Sequence, residues 1–381
     1  MISGGQAGRE PAAAVTSAPM DAPLARLVDR IRAAAAAGTP LRIRGGGSKD
    51  FYAERLEGEL LATQELAGIV SYEPSELVVT VRAGTSLTLL EATLAERGQC
   101  LPFEPPHFGA GATVGGMVAA GLSGPARASV GSVRDYVLGL QLVNGRGEDL
   151  VFGGQVMKNV AGYDVSRLMV GAMGTLGLVT EVSLKVLAVA PAEATLRFRM
   201  RQDEALASLH AWGGQPLPLN ASCWVEEEGQ GTLYLRLRGA RAAVDAACRS
   251  MGGEHLDNAG AAPQWQALRE QRMPWFTAAA DHDLWRISVP QTAAVLDLPA
   301  SPLVEWHGAQ RWVHARLADG PRVREAALRA GGHATLFRSA RGDAGGRMTP
   351  LAPALAALHE RLKQQFDPAG IFNRGRLYPH F

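Results

Sequence analysis

The chain has 381 residues, enough for two domains with a sizeable core. Its 38 basic residues almost balance 37 acidic ones, so charge gives no reason to expect nucleic acid or an anionic membrane surface as a partner. The 44 glycines are abundant for a globular protein and indicate many positions with positive φ or close backbone approach.

The start of the chain and its cysteines bear on location. Residues 1–20 mix Gly, Ala, Ser and Pro without a basic start followed by an apolar run, which predicts a disordered tail and not a signal peptide. Cys100, Cys223 and Cys248 stand far apart and form no CxxC pair, so no iron–sulfur cluster or structural zinc is expected within this chain. Their sparse, odd number favours a reducing cytoplasm.

The first hundred residues alternate predicted helices and strands around a Gly-rich turn. A helix is predicted over 21–38, with apolar residues on one face, Pro23 in its first turn and Gly38 at its end. The further predicted elements are strands at 41–44, 69–72 and 77–81 and a helix at 86–97, capped by Ser86 and ended by Gly98.

Further along, Asn144-Gly145 predicts a hairpin between strands at 137–143 and 149–152. The glycine-rich motifs stop near Pro191, which places a domain boundary there. The later predicted elements are strands at 179–186, 195–200, 234–237, 285–289 and 312–315 and helices at 203–212 and 351–366. This mixture predicts an α+β pattern for the second domain.

The first of four glycine-rich segments is Arg44-Gly45-Gly46-Gly47-Ser48-Lys49, directly after a predicted strand. Consecutive glycines let successive backbone N–H groups point into one concavity that binds an anion, and Arg44, Ser48 and Lys49 could add donors or charge. The segment is neither the G-x-G-x-x-G fingerprint nor a Walker loop. A plain tight turn is the alternative interpretation.

The second segment, residues 109–131, alternates glycines with small residues, and a long cofactor would supply partners for its backbone. The alternative is a Gly-rich loop packed in the core. Residues 105–126 contain no Asp, Glu, Lys or Arg and are long enough to span a membrane, but their glycines and Pro105-Pro106 argue against a span. The third segment is 171–177, and the fourth is the tail at 366–376, which could also be only a helix stop and a fraying end.

The order and spacing of these segments resemble the vanillyl-alcohol-oxidase family of flavoproteins, over roughly 22–190 and 351–378. Within it, the stretches EPSELVVTVRAGTSL, LPFEPPHFGAGATVGGMVAAGLSGPARASVGSVRDYVLG, FGGQVMKNVAGYDVSRL and GAQRW are most similar to FAD-binding subunits of glycolate-oxidising dehydrogenases. The resemblance implies an α+β fold: a bipartite PCMH-type FAD-binding domain of two small α/β subdomains at 21–190, an α+β cap domain at 191–340, and a C-terminal segment at 341–381 returning to the flavin.

The resemblance also implies roles by position. The FAD pyrophosphate would be bound by Arg44, Gly45, Gly46, Gly47, Ser48 and Lys49. Thr113, Gly115 and Gly116 would lie along the ribityl chain and ring, Gly124 and Gly131 would continue that wall toward the adenosine half, Gly177 and Val179 would meet the adenine or its ribose, and Asn373 would approach the flavin ring. Ser48-Lys49 stands where many relatives have a histidine that bonds covalently to FAD, so non-covalent FAD is expected.

The cap departs from relatives that oxidise D-2-hydroxy acids. Their H-x-G-D-G-N-L-H signature supplies metal and substrate ligands, whereas this chain keeps His307 and His314 around Ala309-Gln310-Arg311. On a strand, residues seven apart point to opposite faces, and two histidines are too few for a metal site, so we expect neither a metal nor assignable catalytic residues. The departure argues against independent 2-hydroxy-acid oxidation by this chain.

A polar segment contains Lys158, Asn159, Tyr163 and Asp164, which could contact cofactor, substrate or partner, or be ordinary surface residues. The resemblance implies two partners, a larger FAD-containing glycolate oxidase subunit and an iron–sulfur subunit that takes the electrons onward. It leaves open peripheral association with the inner face of the cell membrane through that complex. A self-sufficient FAD-dependent oxidoreductase and a flavin-free scaffold subunit are the two alternative functions.

Overall fold

The computed structural model describes residues 21–154, 164–279, 281–342, 345–379 and 381. The predicted tail at 1–20 lies outside these residues. Within them, no helix combines the length and the apolar character that crossing a membrane requires.

The N-terminal part, up to residue 188, is built on a five-stranded antiparallel sheet in the order β3-β4-β8-β6-β7. Two small sheets accompany it, a parallel pair of β1 and β2 and an antiparallel pair of β5 and β9. The strands are β1 (Leu41–Arg44), β2 (Glu59–Ala62), β3 (Ile69–Glu73), β4 (Val78–Arg82), β5 (Gln99–Cys100), β6 (Val137–Val143), β7 (Asp149–Gly153), β8 (Leu178–Lys185) and β9 (Leu187–Ala188).

The helices of this part begin and end where local chemistry requires. The Asp21 carboxylate accepts a hydrogen bond from the N–H of Leu24 at 3.2 Å, and Gly38 ends the first helix with φ of 68°. The Ser86 hydroxyl likewise accepts from the N–H of Leu89 at 3.1 Å. The predictions of both helices are confirmed. The helices are α1 (Ala22–Ala37), α2 (Leu87–Ala95), α3 (Val114–Ala120), α4 (Arg127–Val130), α5 (Val133–Tyr136) and α6 (Val165–Leu168).

The central part, residues 192–338, contains an eight-stranded antiparallel sheet in the order β13-β10-β12-β11-β15-β16-β14-β17. Its strands are β10 (Ala192–Arg199), β11 (Leu219–Glu227), β12 (Gln230–Gly239), β13 (Glu254–Leu256), β14 (Asp283–Ser288), β15 (Leu303–Glu305), β16 (Gln310–Ala315) and β17 (His333–Arg338). Its helices are α7 (Gln202–Gly213), α8 (Arg241–Met251), α9 (Asn258–Arg269), α10 (Pro274–Thr277) and α11 (Gly320–Arg329). The C-terminal segment holds α12 (Pro353–Phe366).

Buried charge joins the N-terminal and central parts. Glu104 of the first accepts hydrogen bonds from Arg236 at 2.7 Å and Arg238 at 3.1 Å, both on β12. Burial alone would raise the pKa of Glu104, but the two guanidinium charges bring it below its usual value. Both parts also contribute to one apolar core that includes Tyr52 and Trp312. This firm contact fixes the orientation of the central sheet against the glycine-rich loops.

Candidate cofactor site

Two adjoining clefts form one groove between the loop after β1, helix α3 and residues 169–179. Both clefts border the same side chains and backbone: Ile43, Gly45, Gly116, Ala119, Met173 and Asn373. We call the two clefts together the glycine groove. Most of its shared wall is small or unbranched, which lets a ligand approach the backbone closely.

The loop of residues 45–49 offers free donors at one end of the groove. Among the described residues, no group accepts a hydrogen bond from the backbone N–H groups of residues 46–49. Gly47 has φ of 73°, and the guanidinium of Arg44 lies over it while Nε donates to Asp50 at 2.7 Å. Consecutive unpaired N–H groups beside a cation suit an anion such as a pyrophosphate. The loop therefore fits the predicted role for FAD.

Lys49 places a positive charge beside this loop. Only 9% of the residue is exposed, and its ammonium makes two long hydrogen bonds, at 3.3 Å to the carbonyl of His107 and at 3.5 Å to the hydroxyl of Ser48. Burial lowers the pKa of Lys49 to about 8, while the charge of Glu270 raises it. An ammonium so sparsely satisfied has donor capacity left for an anionic ligand.

The residues at the start of α3 shape the wall of the groove, but their backbone N–H groups are not free to bind a ligand. The N–H groups of Val114 and Gly115 donate to carbonyls of Thr85 and Ala83, and that of Gly116 donates to the Thr113 hydroxyl at 3.2 Å. Thr113, Gly115 and Gly116 border the groove, but the N–H groups of Gly115 and Gly116 are already paired within the chain. A β-carbon on Gly115 would stand 2.8 Å from that of Ala83, so glycine here also permits tight packing.

The opposite end of the groove is bordered by Gly177 and Val179, next to β8. A β-carbon on Gly177 would stand 2.8 Å from Leu142 Cδ1 and 2.9 Å from the carbonyl oxygen of Val143. The sequence placed these two residues near the adenine end, and the structure puts them on the same groove as the loop of residues 45–49.

Asn373 closes the groove from the C-terminal segment. Its side-chain oxygen accepts from the N–H of Ile43 at 2.7 Å, and its amide donates to the carbonyl of Met173 at 2.6 Å. Met173 itself has φ of 53°, an uncommon conformation for a bulky residue. Asn373 therefore borders the groove and is tied to backbone groups on both sides of it.

Gly124 and Gly131 are not among the residues that border the groove. A β-carbon on Gly124 would stand 2.3 Å from the carbonyl oxygen of Glu104, and its own carbonyl accepts from Trp306 Nε1 at 3.0 Å. Gly131 has φ of 97° and lies against Asp135. Gly124 thus packs against the central part and Gly131 ends the short helix α4, and neither glycine borders the groove. Their predicted place toward the adenosine half stays a prediction.

Sequence reasoning missed Arg376, which also borders the groove. Only 4% of it is exposed, and its guanidinium donates to the carbonyls of Glu54 at 2.6 Å and of Lys49 and Asp50 at 3.2 Å. Burial lowers its pKa to about 10, and the residue holds the chain directly after the glycine loop. The tail motif contained the signal, an arginine three residues after Asn373.

The cap residues His307, Arg311 and His314 do not converge. The His307 ring hydrogen-bonds the hydroxyls of Ser129 at 3.0 Å and Ser222 at 3.1 Å, and burial lowers its pKa to about 4. Arg311 is fully buried, and His314 Nε2 hydrogen-bonds the carbonyl of Trp275 at 3.1 Å. Within the described ranges, no three His, Cys, Asp or Glu side chains are grouped as metal ligands.

The polar segment that contains Lys158, Asn159, Tyr163 and Asp164 is described only at its last residue. Lys158, Asn159 and Tyr163 lie outside the described residues. Asp164 caps α6, where its carboxylate accepts from the N–H of Arg167 at 3.0 Å. A capping role accounts for Asp164 without a ligand.

Two known families match parts of the chain that border the glycine groove. A family described as FAD binding domain matches residues 24–153, and one described as FAD linked oxidases, C-terminal domain, matches residues 350–377. The glycolate oxidase subunit GlcE of Escherichia coli is 46% identical over 92% of this chain and 96% of its own length. GlcD of Bacillus subtilis, another glycolate oxidase subunit, is 33% identical over 34% of this chain and 27% of its own length.

A D-lactate dehydrogenase of Archaeoglobus fulgidus is 34% identical over 39% of this chain and 33% of its own length. Among solved structures, an alkyldihydroxyacetonephosphate synthase superposes with a TM-score of 0.62 over 92% of this chain and 74% of that one. At 15% identity that likeness supports the fold alone. Together with the match to the FAD binding domain family, it shows a PCMH-type FAD-binding domain in a mixed α and β chain. The near full-length similarity to GlcE goes further: the chain belongs to the FAD-linked oxidases, in the family of the glycolate oxidase subunit GlcE.

Proposed function

We propose that this chain is the FAD-binding subunit of a dehydrogenase complex that oxidises glycolate, a 2-hydroxy acid, to the 2-oxo acid. The observation that carries the proposal is the 46% identity to GlcE over 92% of the chain. In the proposal, residues 21–190 form the FAD-binding domain, 191–340 the cap and 341–381 the returning segment. A larger FAD-containing subunit and an iron–sulfur subunit complete the complex, which can associate peripherally with the inner face of the cell membrane.

The chain's own groups fit a bound dinucleotide. The free N–H groups of residues 46–49 and the Lys49 ammonium would bind the pyrophosphate, whose negative charges need donors and cations. Glycines 115, 116 and 177 would allow close approach along the groove, and Asn373 would hold its two sides together. When bound, FAD supplies a two-electron acceptor that can release electrons one at a time.

The central part supports a division of labour between subunits. The rings of Phe51, Phe108, Phe337 and Trp312 pack together between the central sheet and the N-terminal part, with centroid distances of 4.9–6.1 Å along the cluster. Arg311 cannot anchor a substrate carboxylate there because its guanidinium donates to carbonyls of residues 293, 294 and 308. The proposal assigns hydroxy-acid chemistry to the larger subunit, and makes FAD in this chain an electron relay or a structural cofactor.

Purification of the tagged chain from its native host tests the proposal. We expect a larger flavoprotein and an iron–sulfur protein to co-purify, and the assembled complex to oxidise glycolate. The matched control is the same chain produced alone, which should bind FAD but turn over no glycolate. Robust turnover by the lone chain would instead support a self-sufficient oxidoreductase, and a chain unable to take up FAD would support a scaffold subunit.

A further inference from the structure

Glu270 belongs to the central part but binds a loop of the N-terminal part. It directly follows α9, and its carboxylate accepts hydrogen bonds from the N–H of Phe108 at 2.8 Å and of His107 at 3.1 Å. Its side chain is 7% exposed, and Arg269 Nε donates to it at 2.9 Å. Backbone N–H groups donating to a carboxylate make strong, charge-assisted hydrogen bonds.

The loop that Glu270 holds forms part of the surroundings of Lys49. The carbonyl of His107 accepts from the Lys49 ammonium at 3.3 Å, and that ammonium lies 5.8 Å from the centroid of the Phe108 ring. Phe108 has φ of 53°, a conformation that persists only when neighbouring contacts enforce it. The carboxylate of Glu270 thus fixes a strained segment whose other side faces the lysine.

Charge also links Glu270, the His107–Phe108 segment and Lys49. The negative charge of Glu270 raises the pKa of Lys49 against the effect of burial. Other charged groups face this region: the Arg44–Asp50 pair, Arg376 on the backbone of Lys49, Arg338 at 6.0 Å from the Phe108 centroid, and Glu91 at 3.1 Å from His107 Nε2. Of these carboxylates, only Glu270 both holds the His107–Phe108 backbone and acts on the charge of Lys49.

We propose that Glu270 is a positioning residue, which holds the His107–Phe108 segment and the Lys49 ammonium in the arrangement that receives the pyrophosphate of FAD. The inference rests on the proposed function, because it requires that the glycine groove binds FAD. The central part contributes no residue to the loop of residues 45–49. Under the inference, Glu270 of the central part nevertheless affects how tightly that loop binds FAD.

FAD affinity as a function of pH is the test. Whole-chain apoprotein is titrated with FAD, and binding is followed by quenching of flavin fluorescence between pH 6 and 10. Wild-type affinity should fall above about pH 8, where Lys49 loses its proton. In Glu270→Gln one hydrogen-bond acceptor remains but the charge is lost, so the fall should begin at lower pH and binding at pH 8.5 should be weaker than in the wild type. Glu270→Ala should bind more weakly still.

Glu91→Gln is the matched control, because it removes a carboxylate at the same junction without touching the His107–Phe108 backbone. It should keep the wild-type pH profile. Lys49→Met should abolish the alkaline fall, and adding Glu270→Gln to it should leave the profile flat. An unchanged pH profile in folded Glu270→Gln, or a wild type without any alkaline fall, would overturn the inference. A wild type that binds no FAD would overturn the proposed function itself.

Discussion

Gly46 lies directly against the carbonyl of Gly111: a β-carbon on Gly46 would stand 1.4 Å from that oxygen. Two glycine-rich segments, far apart in the sequence, thus touch through their backbones. We expect Gly46→Val to lose FAD, because the side chain must push the loop of residues 45–49 away from Gly111 and so break up the array of N–H groups. The ratio of flavin to protein in the purified variant measures this loss.

The reason is steric and does not involve φ, since positive φ occurs at Gly47 and not at Gly46. Gly213→Val is the control, because a β-carbon there meets no atom within 4 Å and φ is not positive. This control should retain FAD, and both variants should keep the central sheet folded by circular dichroism. Normal FAD occupancy in Gly46→Val would mean that the loop is an ordinary turn.

Acid precipitation should release free FAD from the protein. No histidine is among the described residues that border the glycine groove. The family resemblance places Ser48-Lys49 where many members have the histidine that bonds covalently to FAD. The measurement is flavin absorbance in the supernatant after trichloroacetic acid. A yellow pellet, with flavin still bound to the polypeptide, would contradict non-covalent binding.

Glu305 should make stability fall between acidic and neutral pH. The carboxyl is 4% exposed, and its Oε2 accepts from Trp312 Nε1 at 2.6 Å and Gln310 Nε2 at 3.1 Å. Burial raises its pKa from 4.5 to about 7, so between these values the folded chain binds more protons than the unfolded one. Stability therefore falls as pH rises through this window, by about 3 kcal/mol in total.

Glu305→Gln keeps an acceptor for Trp312 but cannot ionise. Its melting temperature relative to wild type should rise from pH 5 to pH 7 and stay constant above about pH 8. Glu96→Gln, a change at an exposed carboxylate, serves as the control and should show no such trend. A difference between Glu305→Gln and wild type that does not vary with pH would show that Glu305 titrates elsewhere.

The double variant His307→Ala, His314→Ala should assemble and support near-normal glycolate oxidation by the complex. In the wild type the two histidines hydrogen-bond Ser129, Ser222 and the Trp275 carbonyl. Their replacement removes contacts worth about 1 kcal/mol each and lowers the melting temperature. Turnover per bound FAD is the measurement. Lost turnover in an intact, FAD-replete complex would place substrate chemistry in this chain.

Elements with local signals were predicted well from the sequence. The end of the first helix at Gly38, the cap Ser86 and the strand Leu41–Arg44 occur as expected, because their geometry depends on neighbours a few residues away. The hairpin after β6 was predicted at its correct strands but with a different turn. Asn144 accepts from the N–H groups of Arg146 and Glu148, and the glycine with positive φ is Gly147.

Long-range pairing was not visible in the sequence. β15 lies between β11 and β16 and pairs with strand residues about 80 positions earlier, such as Glu305 with Cys223, and no local pattern encodes this. Gly124 illustrates the same limit, because the sequence does not show that this glycine packs between two parts of the chain. A glycine that lines a cofactor and one that packs between two parts of a chain both need close backbone approach, so composition alone cannot separate them.

Asn373 and Ile43 hydrogen-bond each other across 330 residues of chain. During synthesis, the loop of residues 45–49 leaves the ribosome long before the asparagine that fastens its strand to Met173 has been translated. At about 5–20 residues per second, roughly 15–65 s separate the two events. A nascent chain lacks the bonds of Asn373 during that interval, so we expect stable FAD loading to follow translation of the C-terminal segment and not to accompany the folding of the first sheet.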